Sequence, residues 1–208
     1  MFGAFAGFLL LMSLAGQRNY NEDQREHGQQ TVSYAGYVTS GAFVEAVFEN
    51  WESEFLQMGA FVLLTVWLRQ KGSPESKKVE GEEPVDEDPR HADLHDDAPW
   101  LARTGGVKLW LYERSLSIAL FALFALSFLL HAAGGAREYS AEQEAHGGPP
   151  VGMLSYLTTA RFWFESFQNW QSEFLAVGAL VVLSIYLRQK GSPESKPVAA
   201  SHADTGSG

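Results

Sequence analysis

The chain has 208 residues, with 15 Lys and Arg against 25 Asp and Glu, no Cys, and a formal net charge of −10 at pH 7. The acidic balance argues against nucleic acid as a partner, because phosphate binding needs clustered Lys and Arg. The lack of Cys excludes disulfides, thiolate nucleophiles and Cys-based metal sites. The mean hydropathy of −0.12 hides four apolar stretches that contain no Lys, Arg, Asp or Glu. They are Phe2–Leu14, Phe55–Leu68, Leu116–Leu130 and Phe174–Leu187.

The chain contains an internal repeat with an offset of 119 residues, so that Phe48–Leu56 returns as Phe167–Leu175 with few changes. From Gly16 to Lys77, about half of the aligned positions are identical, and the alignment needs no gap. A repeat sets the architecture and is therefore identified first. It predicts two copies of one helical hairpin, at residues 1–71 and 108–190.

The first predicted element is a spanning helix that begins with Phe2–Leu14. This stretch is similar to the core of a signal peptide, but no positively charged segment precedes it. It also aligns with Phe121–Ala133, which lies inside the chain. The second copy is preceded by Lys108–Ser115, which the first copy lacks, so we expect the first helix to begin upstream of Met1.

Two polar loops follow the first helix of each hairpin, at about residues 17–40 and 134–159. Each contains an acidic residue and a His at i and i+4, a spacing that puts both on one helical face. Imidazole and carboxylate are suitable ligands for Zn²⁺ or Ni²⁺, so the two loops form a weak candidate metal site. The candidate ligands are Asp23, His27, Glu142 and His146. The alternative is a helical continuation that ends at Gly28 and Gly147, with His near the negative end of the helix dipole.

Long helices are predicted at Gly41–Lys71 and Ala160–Lys190. Their apolar cores are shorter than the roughly 20 residues that a spanning helix needs, so each span must include the polar segment before it. That segment puts an Asn, a Ser and a Glu on one face in both copies. The candidate polar or ion site is Asn50, Ser53, Glu54, Asn169, Ser172 and Glu173. Acids within a span suggest a proton or cation site, and the alternative is hydrogen bonding between helices that fixes their register.

Aromatic residues are expected to anchor these two helices at the membrane interfaces, as Trp and Tyr often do. The predicted anchors are Trp51, Trp67, Trp170 and Tyr186. Lys and Arg cluster after the second and fourth apolar stretches and before the third, which predicts both termini in the cytoplasm. The acidic linker at 72–107 and the tail at 191–208 are poor in apolar residues and are predicted to be disordered on the cytoplasmic side.

The run Asn50-Trp51-Glu52-Ser53-Glu54-Phe55-Leu56, together with Tyr20–Gly28 and Gly72–Lys77, resembles a known bacterial family. It is a family of small multi-pass membrane proteins that is defined as a domain of unknown function, with an Asn-Trp-x-Ser-Glu-Phe-Leu motif. The resemblance covers nearly the whole chain except the linker and the tail. It implies a protein of the bacterial inner membrane, and it implies no activity.

The sequence therefore predicts an all-α integral membrane protein with four transmembrane helices arranged as two parallel hairpin repeats. We expect no cofactor and no enzymatic activity, because no nucleotide loop or catalytic motif is present. A structural or accessory role in the lipid bilayer is the main functional prediction, with a homodimer or a membrane-protein partner compatible with it. Two alternatives remain: a small proton or cation transporter or channel, and a metal-dependent membrane enzyme.

Overall fold

The computed structural model describes residues 1–81, 83–92 and 94–206. In these residues the protein contains seven α-helices, two short 3-10 turns and no strand, which confirms the all-α prediction. The helices are α1 Phe2–Glu26, α2 Tyr34–Val38, α3 Gly41–Leu64, α4 Gly106–Glu113, α5 Ser115–Ala145, α6 Met153–Tyr156 and α7 Ala160–Tyr186.

One helix of the described part of the chain, α5, is long and apolar enough to cross a membrane. The prediction of four spanning helices is therefore not supported. The physical reason is that polar residues interrupt the other long helices. Four glutamates lie within α3, the last third of α1 is charged, and the first half of α7 includes Arg161 and Glu165.

The helices α3 and α7 end at Leu64 and Tyr186, earlier than the predicted Lys71 and Lys190. Both are followed by the same turn. Gly72 and Gly191 adopt positive φ angles of 86° and 85°, a conformation that favours glycine. In each copy a later serine accepts a hydrogen bond from a backbone amide, from Gln70 to Ser76 at 2.8 Å and from Gln189 to Ser195 at 2.9 Å. The identical sequences thus form the same turn twice.

The linker between the repeats contains 3-10 turns at Pro84–Asp86 and Trp100–Arg103, followed by α4. In the tail, the nearly buried Lys196 amine donates hydrogen bonds to three backbone carbonyls at 3.1 Å each. Disorder of the linker and of the tail stays a prediction.

The chain divides into two compact units. The first comprises Met1–Ser53 and Leu123–Asn169, and the second comprises Glu54–Ala122 and Trp170–Gly208. The boundaries fall within α3, α5 and α7, so each unit contains segments of both sequence repeats.

The core of the first unit is built around Ala132, Ala136, Tyr156 and Phe162, which are almost fully buried. In this unit α3 approaches α5 so closely that a Cβ atom on Gly134 would lie 2.5 Å from the Glu45 backbone nitrogen. Small residues allow helices to approach in this way. The contact brings the acidic face of α3 against α5.

Candidate functional site

Six residues of the first unit form a largely buried ionic cluster, which we call the hub. It consists of Glu45 and Glu52 on α3, His131 on α5, Tyr156 on α6, and Arg161 and Glu165 on α7. The side chains of Glu52 and His131 are 0% exposed to solvent. Charged side chains are almost never fully buried unless they are paired, so this cluster is the most unusual chemical feature of the unit.

His131 lies between two carboxylates. Its Nδ1 atom is 2.8 Å from Glu52 Oε2, within hydrogen-bond distance. Its Nε2 atom is 3.6 Å from Glu165 Oε2 and has no hydrogen-bond partner, although it is buried. The imidazole ring is held by Phe162, whose ring centroid is 4.8 Å away. The hydrogen bond at Nδ1 and this ring contact together orient the imidazole.

Tyr156 joins the other two glutamates of the hub. Its hydroxyl oxygen lies 3.0 Å from Glu45 Oε1 and 2.7 Å from Glu165 Oε2. Burial, followed by the two nearby carboxylates, raises the pKa of Tyr156 well above its usual value, so the phenol keeps its proton. One hydroxyl has one proton and can donate it to one carboxylate at a time. The oxygen of the second carboxylate therefore needs another donor or a cation in place of that hydrogen bond.

Arg161 connects the hub with a groove formed by the two polar loops. Its Nε donates to Glu165 Oε1 at 2.8 Å, and its Nη1 donates to Glu142. Glu142 lines a groove of about 380 Å³ together with Asp23, His27 and His146. The chain of contacts from Glu142 through Arg161 to Glu165 is thus a continuous polar connection between an exposed groove and the buried imidazole.

The hub contains more negative than positive groups. Three carboxylates face one guanidinium and one imidazole, and Glu49, which accepts a hydrogen bond from the Asn169 amide, lies beside them. Glu45, Glu49 and Glu52 are spaced by four and three residues, so α3 presents them on one face. Buried carboxylates without compensating positive charge are costly. The arrangement therefore favours the binding of a cation.

The six residues of the predicted polar site are divided between the two units, and their common site stays a prediction. Asn50, Ser53 and Asn169 belong to the first unit, whereas Glu54, Ser172 and Glu173 belong to the second. Asn50 is exposed, and its amide bonds the Ala46 carbonyl of its own helix at 2.8 Å. The buried Ser53 hydroxyl donates to the Asn50 carbonyl at 2.7 Å. Within the second unit, Glu54 and Glu173 lie near enough to interact electrostatically.

The predicted metal ligands of the loops do line one groove, but each histidine is engaged locally. His27 Nδ1 lies 2.9 Å from the Asp23 carbonyl, and His146 Nδ1 lies 2.8 Å from the Glu142 carbonyl. In the described part of the chain, the group of three side chains whose ligand atoms lie within 4.8 Å of one another is a different one. It consists of Glu45, His131 and Glu165.

The predicted membrane anchors differ in their surroundings. Trp51 packs against Phe48, with ring centroids 5.1 Å apart, and against Phe5 at 5.8 Å. Trp67 and Tyr186 are largely exposed, at 67% and 62%, and Trp170 is half-buried. Their role as interface anchors stays a prediction.

The repeat was a poor guide to the hub because the hub is not duplicated. At the offset of 119 residues His131 corresponds to Met12, and Glu165 corresponds to Ala46. These two residues are therefore not among the polar residues that both copies share. One signal was available: Glu45, Glu49 and Glu52 form an acidic stripe along one face of α3.

Comparison with known proteins gives a family and no function. No curated protein matches the chain. No solved structure matches it either. A family model described as "Domain of unknown function (DUF6766)" matches residues 1–207. With nearly its whole length matched, the chain belongs to the DUF6766 family.

Proposed function

We propose that this protein is a non-enzymatic integral membrane protein of the bacterial inner membrane, with a structural or accessory role. The observation that supports this proposal is the distribution of apolar and polar side chains. In the described residues, the fully buried side chains include five polar ones besides Tyr156 and Phe162: Glu52, Ser53, Ser73, His131 and Ser166. Long stretches of Phe, Leu and Val lie on the outside of the same helices.

The exposed apolar side chains are concentrated on the long helices. On α1 they include Phe2, Phe5, Phe8, Leu10 and Leu11, and similar series occur on α5 and α7. A protein surrounded by water rarely exposes large continuous apolar patches. A bilayer removes this cost because lipid tails are as apolar as the exposed side chains. An apolar outer face is therefore what a lipid-embedded helical protein requires, and its ionisable residues typically face inward.

The proposal includes membrane insertion of α1, α3 and α7 alongside α5. Hydropathy counts a charged residue in the same way whether it faces lipid or protein. Glu45, Glu52 and Glu165 all lie in the hub, with no more than a small part of their side chains exposed. Ionisable residues within spans typically face the protein interior. Their inward position removes these three charges from the faces of α3 and α7 that would contact lipid, whereas Glu54 on α3 is exposed.

The absence of Cys allows the topology to be tested directly by single Cys substitutions. Thr31→Cys and Thr158→Cys place exposed thiols in the two loops, and Ser201→Cys places one in the tail. We expect the protein to remain in membranes after alkaline washing. A membrane-impermeant maleimide should label both loop variants in intact spheroplasts, and the tail variant only after lysis. Recovery of the protein in the soluble fraction would contradict the proposal.

A second candidate, a small proton or cation transporter or channel, is favoured by the electrostatic interaction between Glu54 and Glu173. Two acids close together on apolar helices could form a shared cation site. Flux in proteoliposomes should then disappear in the Glu54→Gln, Glu173→Gln double variant, with Glu22→Gln, Glu144→Gln, two exposed acids outside the candidate site, as the matched control. If proteoliposomes with the wild-type protein show no flux across pH values and several cations, the transporter candidate is contradicted and the accessory role is retained.

A further inference from the structure

We propose that Glu45, His131 and Glu165 form a binding site for a divalent first-row transition metal ion, with Zn²⁺ as the best-suited probe. The inference does not depend on the membrane role, since it concerns the interior of the first unit alone. Imidazole nitrogen and carboxylate oxygen together are typical ligands of Zn²⁺ and of neighbouring metals, whereas Ca²⁺ and Mg²⁺ prefer oxygen ligands only.

The ligand atoms are close to the separations that a metal site needs. With metal–ligand bonds of about 2.0–2.2 Å, the ligands of a tetrahedral site lie about 3.3–3.6 Å apart. His131 Nε2 and Glu165 Oε2 are 3.6 Å apart, and all three ligand atoms lie within 4.8 Å of one another. Small side-chain rotations of Glu45 would complete the set.

His131 provides the observation that separates this site from a simple cluster of acids. The residue is 0% exposed, and its Nε2 atom is directed at Glu165 without forming a hydrogen bond. Buried polar atoms are nearly always hydrogen-bonded, and each exception calls for an explanation such as an ion; His131 Nε2, Ser166 Oγ and Arg188 Nε are such atoms in the described residues. A metal ion between Nε2 and the two carboxylates would satisfy this atom.

The surrounding contacts are those that orient metal ligands. Glu52 accepts a hydrogen bond from Nδ1 of His131 at 2.8 Å, which leaves Nε2 free for the metal. Metal-binding histidines commonly have such a carboxylate on the other ring nitrogen. Arg161 holds Oε1 of Glu165 and turns Oε2 toward the imidazole. The Tyr156 hydroxyl reaches both ligand carboxylates.

The charge of the hub also favours a divalent ion. With a neutral imidazole, the three carboxylates of the hub and the one guanidinium leave two negative charges. A divalent cation neutralises this excess beside His131 and Glu52, whose side chains are fully buried. The three protein ligands leave a fourth position for water or another small ligand.

The test uses the full chain in detergent micelles, stripped with a chelator and then titrated with Zn²⁺. We expect the wild type to bind about one equivalent, measured by elemental analysis after gel filtration. His131→Gln and Glu45→Gln should each weaken binding at least tenfold, and Glu52→Gln by about 10- to 100-fold, as for other residues that orient a ligand. Circular dichroism and gel filtration check that each variant is folded.

A matched control removes the two groove histidines, His27→Gln with His146→Gln, and we expect no loss of Zn²⁺ binding. A second measurement needs no variant: Co²⁺ in the wild type should show an X-ray absorption signature of one imidazole with oxygen ligands. The inference is overturned if the stripped wild type binds no Zn²⁺ at micromolar concentrations. It is equally overturned if binding depends on the groove histidines, or if Co²⁺ shows no imidazole or several.

Discussion

The two sequence repeats build the same aromatic frame in the first unit but place different chemistry on it. In each copy a tyrosine packs between a second tyrosine and a phenylalanine. The ring centroids are 5.7 and 5.4 Å apart in the first copy and 5.7 and 5.6 Å apart in the second. These residues are Tyr20, Tyr37 and Phe43, which return as Tyr139, Tyr156 and Phe162. In both copies the central tyrosine also packs against a glycine of the preceding helix: Tyr37 against Gly16, and Tyr156 against Gly135.

The polar partners of these two tyrosines are different. Tyr156 reaches Glu45 and Glu165, whereas the corresponding positions around Tyr37 are Phe164 and Ala46. The buried imidazole of His131 likewise corresponds to Met12. The repeated residues therefore form the aromatic frame, and the ionic side chains are residues that the repeats do not share. Substitutions that restore the symmetry of the repeat should therefore remove the hub without removing the frame.

The largest effect is expected for His131→Met, which introduces the residue of the first repeat. The change takes the imidazole away from a fully buried carboxylate, and breaking such a pair by removing one partner costs about 3–5 kcal/mol. The measurement is the free energy of unfolding in mixed micelles. Met12→Leu, at the equivalent half-buried position, should cost less than about 1.5 kcal/mol. Equal losses of unfolding free energy in the two variants would show that the hub makes no particular contribution to stability.

Tyr156→Phe and Tyr37→Phe compare the two tyrosines directly. The first removes a hydroxyl that contacts two carboxylates, and hydrogen bonds to charged groups contribute about 1.5–3 kcal/mol. The second keeps the aromatic contacts and should cost about 1 kcal/mol or less. Thermal unfolding of both variants gives the difference. A larger loss for Tyr37→Phe would contradict the asymmetry.

The close contact between α3 and α5 is tested by Gly134→Ala, whose counterpart in the first repeat is Ala15. The added Cβ would lie 2.5 Å from the Glu45 nitrogen and 3.0 Å from the Gly41 oxygen, so backbone must move. We expect a loss of about 1–3 kcal/mol. Gly178→Ala is the control, because a Cβ there meets no atom within 4 Å. It should be neutral or stabilise the helix by up to about 1 kcal/mol.

The smallest effects are expected in the polar loops, where the frame is nearly symmetric. Asn21 bonds both the nitrogen and the oxygen of Val32, at 2.7 and 2.9 Å. Its counterpart Ser140 accepts one bond, from Val151 nitrogen at 3.0 Å. At about 0.5–1.5 kcal/mol for each bond, Asn21→Ala should cost more than Ser140→Ala. Amide hydrogen exchange at Val32 and Val151 measures the loss of stability at each site. A larger loss for Ser140→Ala than for Asn21→Ala would contradict the prediction.

The sequence was sufficient to predict the helical class, the repeat and the features that repeat with it. The turns at Gly72 and Gly191 follow from identical local sequences, and local hydrogen bonds decide them. The hub depends on contacts between residues far apart in the chain: Glu52 and His131 are 79 positions apart. No local pattern encodes such a pair. The acidic stripe on α3 was visible in the sequence, but its partner on α5 was not.

The number of spanning helices was harder to predict for a related reason. Apolar stretches indicate which helices can contact lipid. The sequence does not show, however, whether the polar side chains of a helix face lipid or the protein interior. Glu45 and Glu52 are buried in the first unit, and only the packed structure shows this. Their burial, which the sequence does not show, supports the proposal that α3 lies in a bilayer.

The most direct test of the hub is a double-mutant cycle on His131→Met and Glu52→Gln, which replaces both residues by their counterparts Met12 and Gln171 in the other repeat. Free energies of unfolding are measured for the wild type, both single variants and the double variant. If the two side chains form one buried ionic unit, the double variant should recover part of the loss, with a coupling energy of about 1–3 kcal/mol. Losses that add to within about 0.5 kcal/mol would show that the pair is not coupled and would contradict the existence of the hub as a single unit.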